Sequence, residues 1–195
     1  MLEGSREYMR ADAKKNYDNL LSIAWDVFAE QGANASLREV ARRAGVGMGT
    51  LYRHFPNREA LLEPILRERF DRLTQKADNL KSASASEDAL VLWVQEVIAF
   101  THDYQGIISV MMGAIEDMDS ALHSSCHALR AAGTQLLTRA QSEGKACADL
   151  DGDELFDLIA ALAWLRDQPS HTARSEHLFS VIANAILINA QEVKN

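Results

Sequence analysis

The chain has 195 residues, 47% apolar and 25% charged, with 3 prolines and 10 glycines. That balance excludes a disordered or fibrous polymer and allows one large domain or two small ones. The formal charge of -8 is uneven: residues 1–70 carry 11 Lys and Arg against 10 Asp and Glu, residues 71–195 carry 9 against 18. An acidic trunk repels a polyanion, so any nucleic-acid contact must fall in the first third.

The longest apolar run, LIAALAWL, has eight residues, too short to cross a bilayer. The opening MLEGS reads as a cloning remnant, and the charged stretch after it is unlike a signal peptide. Two cysteines, Cys126 and Cys147, make no disulfide framework and fit a reducing cytoplasm.

The periodicity is helical throughout, and the expected fold class is all-α. Leu20, Ala24, Val27 and Phe28 give residues 14–31 one apolar face, and Gly32 stops that helix. Ser36 opens a second helix carrying Leu37, Val40, Ala41 and Ala44. Glu39, three positions on, completes the spacing of a reciprocal capping box, and Gly45 has the position of a left-handed cap. A short third helix is expected from about Gly47 to His54. After Pro56, Asn57 caps a fourth from Arg58 to about Leu80.

KSASASED then reads as a polar linker whose Ser86 caps the next helix. Further helices are expected near 87–102, 105–115, 120–143, 152–168 and 175–191. Asp151 and Glu154 have capping-box spacing, and Pro169 separates the last two helices.

Residues 36–55, SLREVARRAGVGMGTLYRHF, fit a helix-turn-helix: a capped helix, a glycine turn and a helix short enough for a major groove. Leu37, Val40, Ala41, Val46, Leu51 and Phe55 would form its small core. Met48, Thr50, Tyr52, Arg53 and His54 are left on the outside or the rim. Hydroxyl, imidazole and guanidinium groups donate to phosphate oxygens, while Tyr and Met also meet thymine methyls. The helix starts at Ser36–Arg38 and Asn57–Arg58 add backbone N–H groups that attract phosphate.

SLREVARRAGVGMGTLYRHFPNREALL, preceded by AWDVFAEQG, resembles the DNA-binding domain of the tetracycline-repressor (TetR) family of transcriptional regulators over about residues 14–66. The resemblance implies a DNA-binding domain over 1–57, a connecting helix over 58–80 and a ligand-binding and dimerisation domain over 81–195. It implies that Arg38 reaches a base edge or phosphate, and that Gly47, Met48 and Gly49 lie closest to the bases. Thr50, Tyr52 and His54 would grip the backbone, Arg58 a flanking phosphate, and Lys14 and Lys15 would follow the duplex as an arm. Where family members commonly carry a polar cap, this chain has Gly47, so GMG offers no hydrogen-bonding side chain to the bases. Reading would then rest on Arg38, Tyr52, close backbone approach and DNA shape.

One short helix reads few base pairs, so a homodimer on a palindromic or near-palindromic operator is expected. The resemblance assigns the dimer to the last two helices, with Leu155, Leu158, Ile159 and Leu162 on one and Leu178, Val181, Ile182, Ala185 and Ile186 on the other. It also implies a cavity for an unknown, largely apolar small-molecule effector. Trp93, Phe100, Tyr104, Met111, Met112, His123, His127 and Trp164 are its candidate lining.

His123, Cys126 and His127 share one helix face with metal-ligand chemistry but lack an evident fourth ligand, so no metal or other cofactor is expected. DLDGDE misses the glycine and the bidentate glutamate of a calcium loop. No nucleophile elbow, phosphate loop or dinucleotide fingerprint supports an enzyme. The reading is a DNA-binding regulator, a repressor released by an effector. The alternatives are a regulator without an inducer and, in another class, a small helical enzyme.

Overall fold

The computed structural model describes residues 3–32, 35–168, 170 and 174–187. Among these are eight helices: α1 (Glu3–Gln31), α2 (Leu37–Arg43), α3 (Met48–His54), α4 (Arg58–Ala83), α5 (Ser86–Glu116), α6 (Ala121–Ser142), α7 (Gly152–Asp167) and α8 (Ser175–Ile186). The described residues hold no strand beyond an isolated bridge of Ala146 with Leu187. The expected all-α class is what is observed.

The first three helices and the start of α4 form a head. Leu20, Ala24, Val27 and Phe28 of α1 are buried together with Val40, Ala41, Leu51, Phe55, Leu61 and Leu62. Helix α4 leaves the head carrying Pro64 within its first turns, then buries Phe70, Leu73, Ala77 and Leu80 against α5 and α6 of the body. Pro64 has no N–H for the helical ladder, which makes that part of α4 its weakest.

Trp93 is the centre of the body. It is fully buried, and its indole N–H donates to the Leu73 carbonyl of α4 at 2.9 Å. Its ring lies edge-on to Phe156 of α7, with centroids 5.9 Å apart. It also covers Gly133 of α6, where an added Cβ would stand 2.5 Å from the indole. One tryptophan thus joins four helices, and the glycine beneath it is required by close approach.

Several boundaries differ from expectation. Helix α5 is continuous where two helices were expected. Its buried stripe Val97, Phe100, Tyr104, Ile107 and Met111 keeps the helical period straight through the polar pair His102–Asp103. KSASASED is hardly a linker, since α4 runs to Ala83 and only Ser84 and Ala85 lie between helices. Ser86 is not the cap; it is the first helical residue, and its hydroxyl donates to the Glu143 carboxylate at 2.6 Å. The box at Asp151 and Glu154 forms in both directions. Pro169 and the stretch 188–191 lie outside the described residues.

Candidate nucleic-acid interface

The turn between α2 and α3 is built by local chemistry. Ser36 is extended, and its Oγ accepts from the Arg38 backbone N–H at 3.2 Å. At the other end Gly45 takes φ +66°, the left-handed region. Val46 N–H donates to Ala41 at 3.0 Å and Gly45 N–H to Arg42 at 3.2 Å, which satisfies those two carbonyls at the end of α2.

The expected capping box does not form: Ser36 Oγ caps the Arg38 N–H rather than that of Glu39, and Glu39 does not reach back to Ser36. Glu39 turns instead to Arg42 and Arg43, accepting at 2.7–2.8 Å, and Arg43 also forks onto Glu30. Hydrogen bonds from Arg42 and Arg43 hold the Glu39 carboxyl down at about 2. Two guanidinium donors outcompete one backbone N–H for this carboxylate.

Helix α3 follows from Gly47, which is extended and supplies no side-chain cap; its carbonyl accepts from Thr50 and Leu51. Nothing lies within 4 Å of the Cβ that Gly47 or Gly49 lacks, and both are exposed. The start of α3 is therefore bare backbone with open space before it. Leu51 and Phe55 anchor the opposite face in the head core.

Around that bare start, Tyr52 is 48% exposed, Arg53 and Arg38 are exposed, and Thr50 and His54 are half-buried. Among the described residues neither Arg38 nor Arg53 has an ion-pair partner. Leu37 and Met48 are half-buried against the head core, so they are packing residues first. Lys14 and Lys15, expected as an arm, are exposed positions of the continuous helix α1.

Helix α4 starts at Asn57, whose Oδ1 accepts from the Ala60 N–H at 2.7 Å. Arg58 lies with its guanidinium 5.1 Å over the Phe28 ring. Its Nε and Nη2 are enclosed without a hydrogen-bond partner. Only Nη1 remains to reach a phosphate, a narrower role than the expected clamp.

Tyr17 was not singled out in the sequence. It packs 5.1 Å from Phe55 and edge-on to His54 at 6.2 Å, fixing the imidazole at the end of α3. Its place three residues before Leu20, on the same apolar stripe, was the available signal.

The eight residues expected around an effector do not share a cavity. Trp93 and Met111 are core, Trp164 is 52% and Met112 40% exposed, and His127 is exposed. His123 is held by its Nδ1, 2.7 Å from the Ile115 carbonyl. Phe100 and Tyr104 stack on each other beside α1. A cleft of about 560 Å³ lies elsewhere, between α5, α7 and α8, walled by Val91, Gln95, Ile98, Leu162, Arg166 and Phe179 among others.

The expected dimer stripe also needs correction. Leu155, Ile159, Leu162 and Ile186 are buried in the protomer's own core, facing α5. Leu158, Leu178 and Ile182 are half-buried, and Val181 and Ala185 are exposed. The outward face of α7 carries Ala160, Ala161 and Trp164 instead. Both helices have two apolar faces, and the sequence stripe chosen on α7 was the inner one.

Among the described residues no group of three or more His, Cys, Asp or Glu is placed to hold a metal ion. Among those residues no helix is long and apolar enough to cross a membrane.

A capped helix, a left-handed glycine turn and a short helix with a bare, exposed start define a DNA-binding helix-turn-helix protein. Comparison with known proteins agrees. Residues 20–65 match the family described as bacterial regulatory proteins, tetR family, and residues 85–186 match the C-terminal domain of SbtR-like transcriptional regulators. The chain belongs to the TetR family of transcriptional regulators and is a DNA-binding protein of that family.

A curated HTH-type transcriptional regulator of Staphylococcus aureus (strain USA300) is 41% identical over 64 residues, 32% of this chain and 35% of that protein. The chain thus aligns with about a third of the length of the curated relatives it matches. The crystal structure of the TetR regulator SCO0520 from Streptomyces coelicolor is similar with TM-score 0.69 and 29% identity, covering 89% of this chain and 99% of that one. The regulator FadR from Bacillus subtilis, solved with stearoyl-CoA, shares the fold at TM-score 0.61 and 19% identity, covering 87% and 99%.

Proposed function

We propose that this chain is a homodimeric cytoplasmic repressor whose two heads read a palindromic or near-palindromic operator and whose body releases it when a small molecule binds. Residues 1–57 form the reading head, α4 the connection, and the helices after it the regulatory body. The observation that carries the reading is the bare start of α3. Gly47 and Gly49 leave room for a groove edge within reach of Arg38, Tyr52 and Arg53.

Arg38 and Tyr52 approach base edges and the flanking backbone, while Thr50, Arg53, His54 and Arg58 Nη1 hold phosphates, with Lys14 and Lys15 alongside. With no polar side chain on Gly47–Gly49, much of the discrimination comes from groove shape. The dimer forms through the outward face of α7 and α8, with Trp164, Val181 and Ala185 at its centre.

The effector site is the cleft between α5, α7 and α8, whose volume lies in the range of small-molecule sites. Val91, Ile98 and Phe179 suit an apolar body, and Arg166 with Gln95 suits one polar or anionic group. The stearoyl-CoA bound by the Bacillus subtilis relative has that combination of apolar chain and anionic head. A ligand there shifts DNA affinity only by its preference for one arrangement of the body over another.

The test is titration of the purified chain with operator DNA, with and without compounds that raise its melting temperature. Release by such a compound supports the switch, and a stabilising compound that leaves operator affinity unchanged opposes it. Weak, steeply salt-dependent binding without sequence preference would contradict the regulator as a whole.

A further inference from the structure

The head meets the body at a stack of flat groups that the DNA-reading surface does not use. Trp25 of α1 receives the Arg69 guanidinium of α4 on its face, 3.4 Å from the ring centroid. The same indole lies 4.3 Å from the Tyr104 ring of α5, tilted by 31°. Tyr104 stacks on Phe100 at 5.2 Å, and Phe100 meets Phe70 of α4 edge-on at 5.7 Å. The row runs from α4 through α1 and α5 back to α4. Open clefts of about 450 and 410 Å³ flank it, both lined by Trp25, Arg69 and Arg72, so the row joins head to body where the surrounding surface does not close.

Arg69 has no ion pair or hydrogen bond among the described residues, although Arg72, one turn on, is paired with Glu68. Burial lowers its proton affinity and pushes the Tyr104 phenol up to about 12. A half-buried guanidinium with no ion pair or hydrogen bond of its own lies flat on the indole face, which is the geometry of a cation–π clamp.

We infer that Trp25, Arg69 and Tyr104 form a clamp that fixes the tilt of the head on the body and thereby sets which operator half-site spacing the dimer accepts. The inference rests on the dimeric reading above. The other connection, α4, contains Pro64 between head and clamp and resists bending least there. From Pro64 to Arg58 the helix rises about 9 Å, so a head tilt of about 10° moves its reading end by about 1.5 Å. Two heads moving oppositely change their separation by about 3 Å, close to the rise of one base pair. A modest loosening at the clamp therefore reaches a whole step of spacing. These three are positioning residues and touch no DNA.

The experiment uses the full chain, the operator it selects, and operators whose half-site separation is one base pair shorter or longer. Wild type binds the selected spacing best. In Tyr104→Leu, and in Arg69→Met, which keeps the stem at a partly exposed position, the preference over the off-by-one operators narrows by about three- to tenfold. Binding to a single half-site stays the same. A Gly133→Ala variant, altered in the body core away from the clamp, lowers the melting temperature and keeps the wild-type spacing preference. Clamp variants that keep the full spacing preference, or lose single half-site binding equally, overturn the inference. A wild type with no preferred spacing contradicts the dimeric reading itself, so the two failures are distinct.

Discussion

Gly49→Ala separates the stability of the reading helix from its fit to DNA. Gly49 is the second residue of the seven-residue α3, is exposed, and has no atom within 4 Å of the position a Cβ would take. An alanine there loses less backbone entropy on folding, worth about 0.5–1 kcal/mol. For a chain of this size that raises the melting temperature by about 1–4 °C. On the proposed reading, the added methyl stands where the helix start meets the groove. If it moves the backbone away by an ångström or more, one hydrogen bond per head passes out of range. At about 0.5–1.5 kcal/mol per bond, two heads lose about 1–3 kcal/mol, or roughly five- to 150-fold in operator affinity. Thermal melting at fixed protein concentration and fluorescence anisotropy with labelled operator read the two effects separately. A variant that melts higher and binds operator as tightly as wild type would refute close backbone approach at Gly49. One that melts lower would refute the open space.

Three further outcomes follow from particular side chains. Gly133→Ala sets a methyl 2.5 Å from the Trp93 ring and 3.1 Å from Phe156, overpacking worth about 1–3 kcal/mol; calorimetry should show a lower melting temperature, and an unchanged one would contradict the packing. Glu39 titrates at about 2 in the fold, against 4.5 for a free carboxyl, because Arg42 and Arg43 bond it. Its contribution is therefore present above about 4.5 and lost as pH falls toward 2. At the surface and only partly covered, it is small and screened by salt; Glu39→Gln should flatten the acid-unfolding curve in that window, and an unchanged curve would oppose the assignment. Arg53→Ala should weaken all DNA sequences alike and reduce the salt slope by about 0.9 for each phosphate it no longer neutralises, whereas Arg38→Ala should relax sequence preference. Titrations at several salt concentrations distinguish them, and a sequence-dependent loss at Arg53 would reverse the roles.

The reading head was legible because its signals are local. Ser36, Gly45 and Asn57 each act within three residues of themselves, and each has the conformation its chemistry demands. Glu39 was misread because the competing donors, Arg42 and Arg43, lie one helical turn away and are stronger than a backbone N–H. The body was less legible because tryptophan, methionine and histidine fill cores as readily as they line cavities. Trp93 and Trp164 look alike in sequence, yet one is fully buried and the other half in solvent. On α7 the choice between Leu155–Ile159–Leu162 and Ala160–Ala161–Trp164 as the free face depends on where α5 lies. Trp25 escaped notice because its partners, Arg69 and Tyr104, are distant in the chain.

Capture and sequencing of genomic DNA fragments by the purified full chain probes the central proposition most directly, because it asks what the head reads and how many heads read together. The proposed dimeric reader predicts an enriched inverted repeat whose half-site centres lie about 10–10.5 base pairs apart, or a multiple of that, protected by wild type and weakened by changes at Arg38 or Tyr52. Enrichment of a single unrepeated half-site, or capture governed by salt alone with no common sequence, would contradict a paired helix-turn-helix reader.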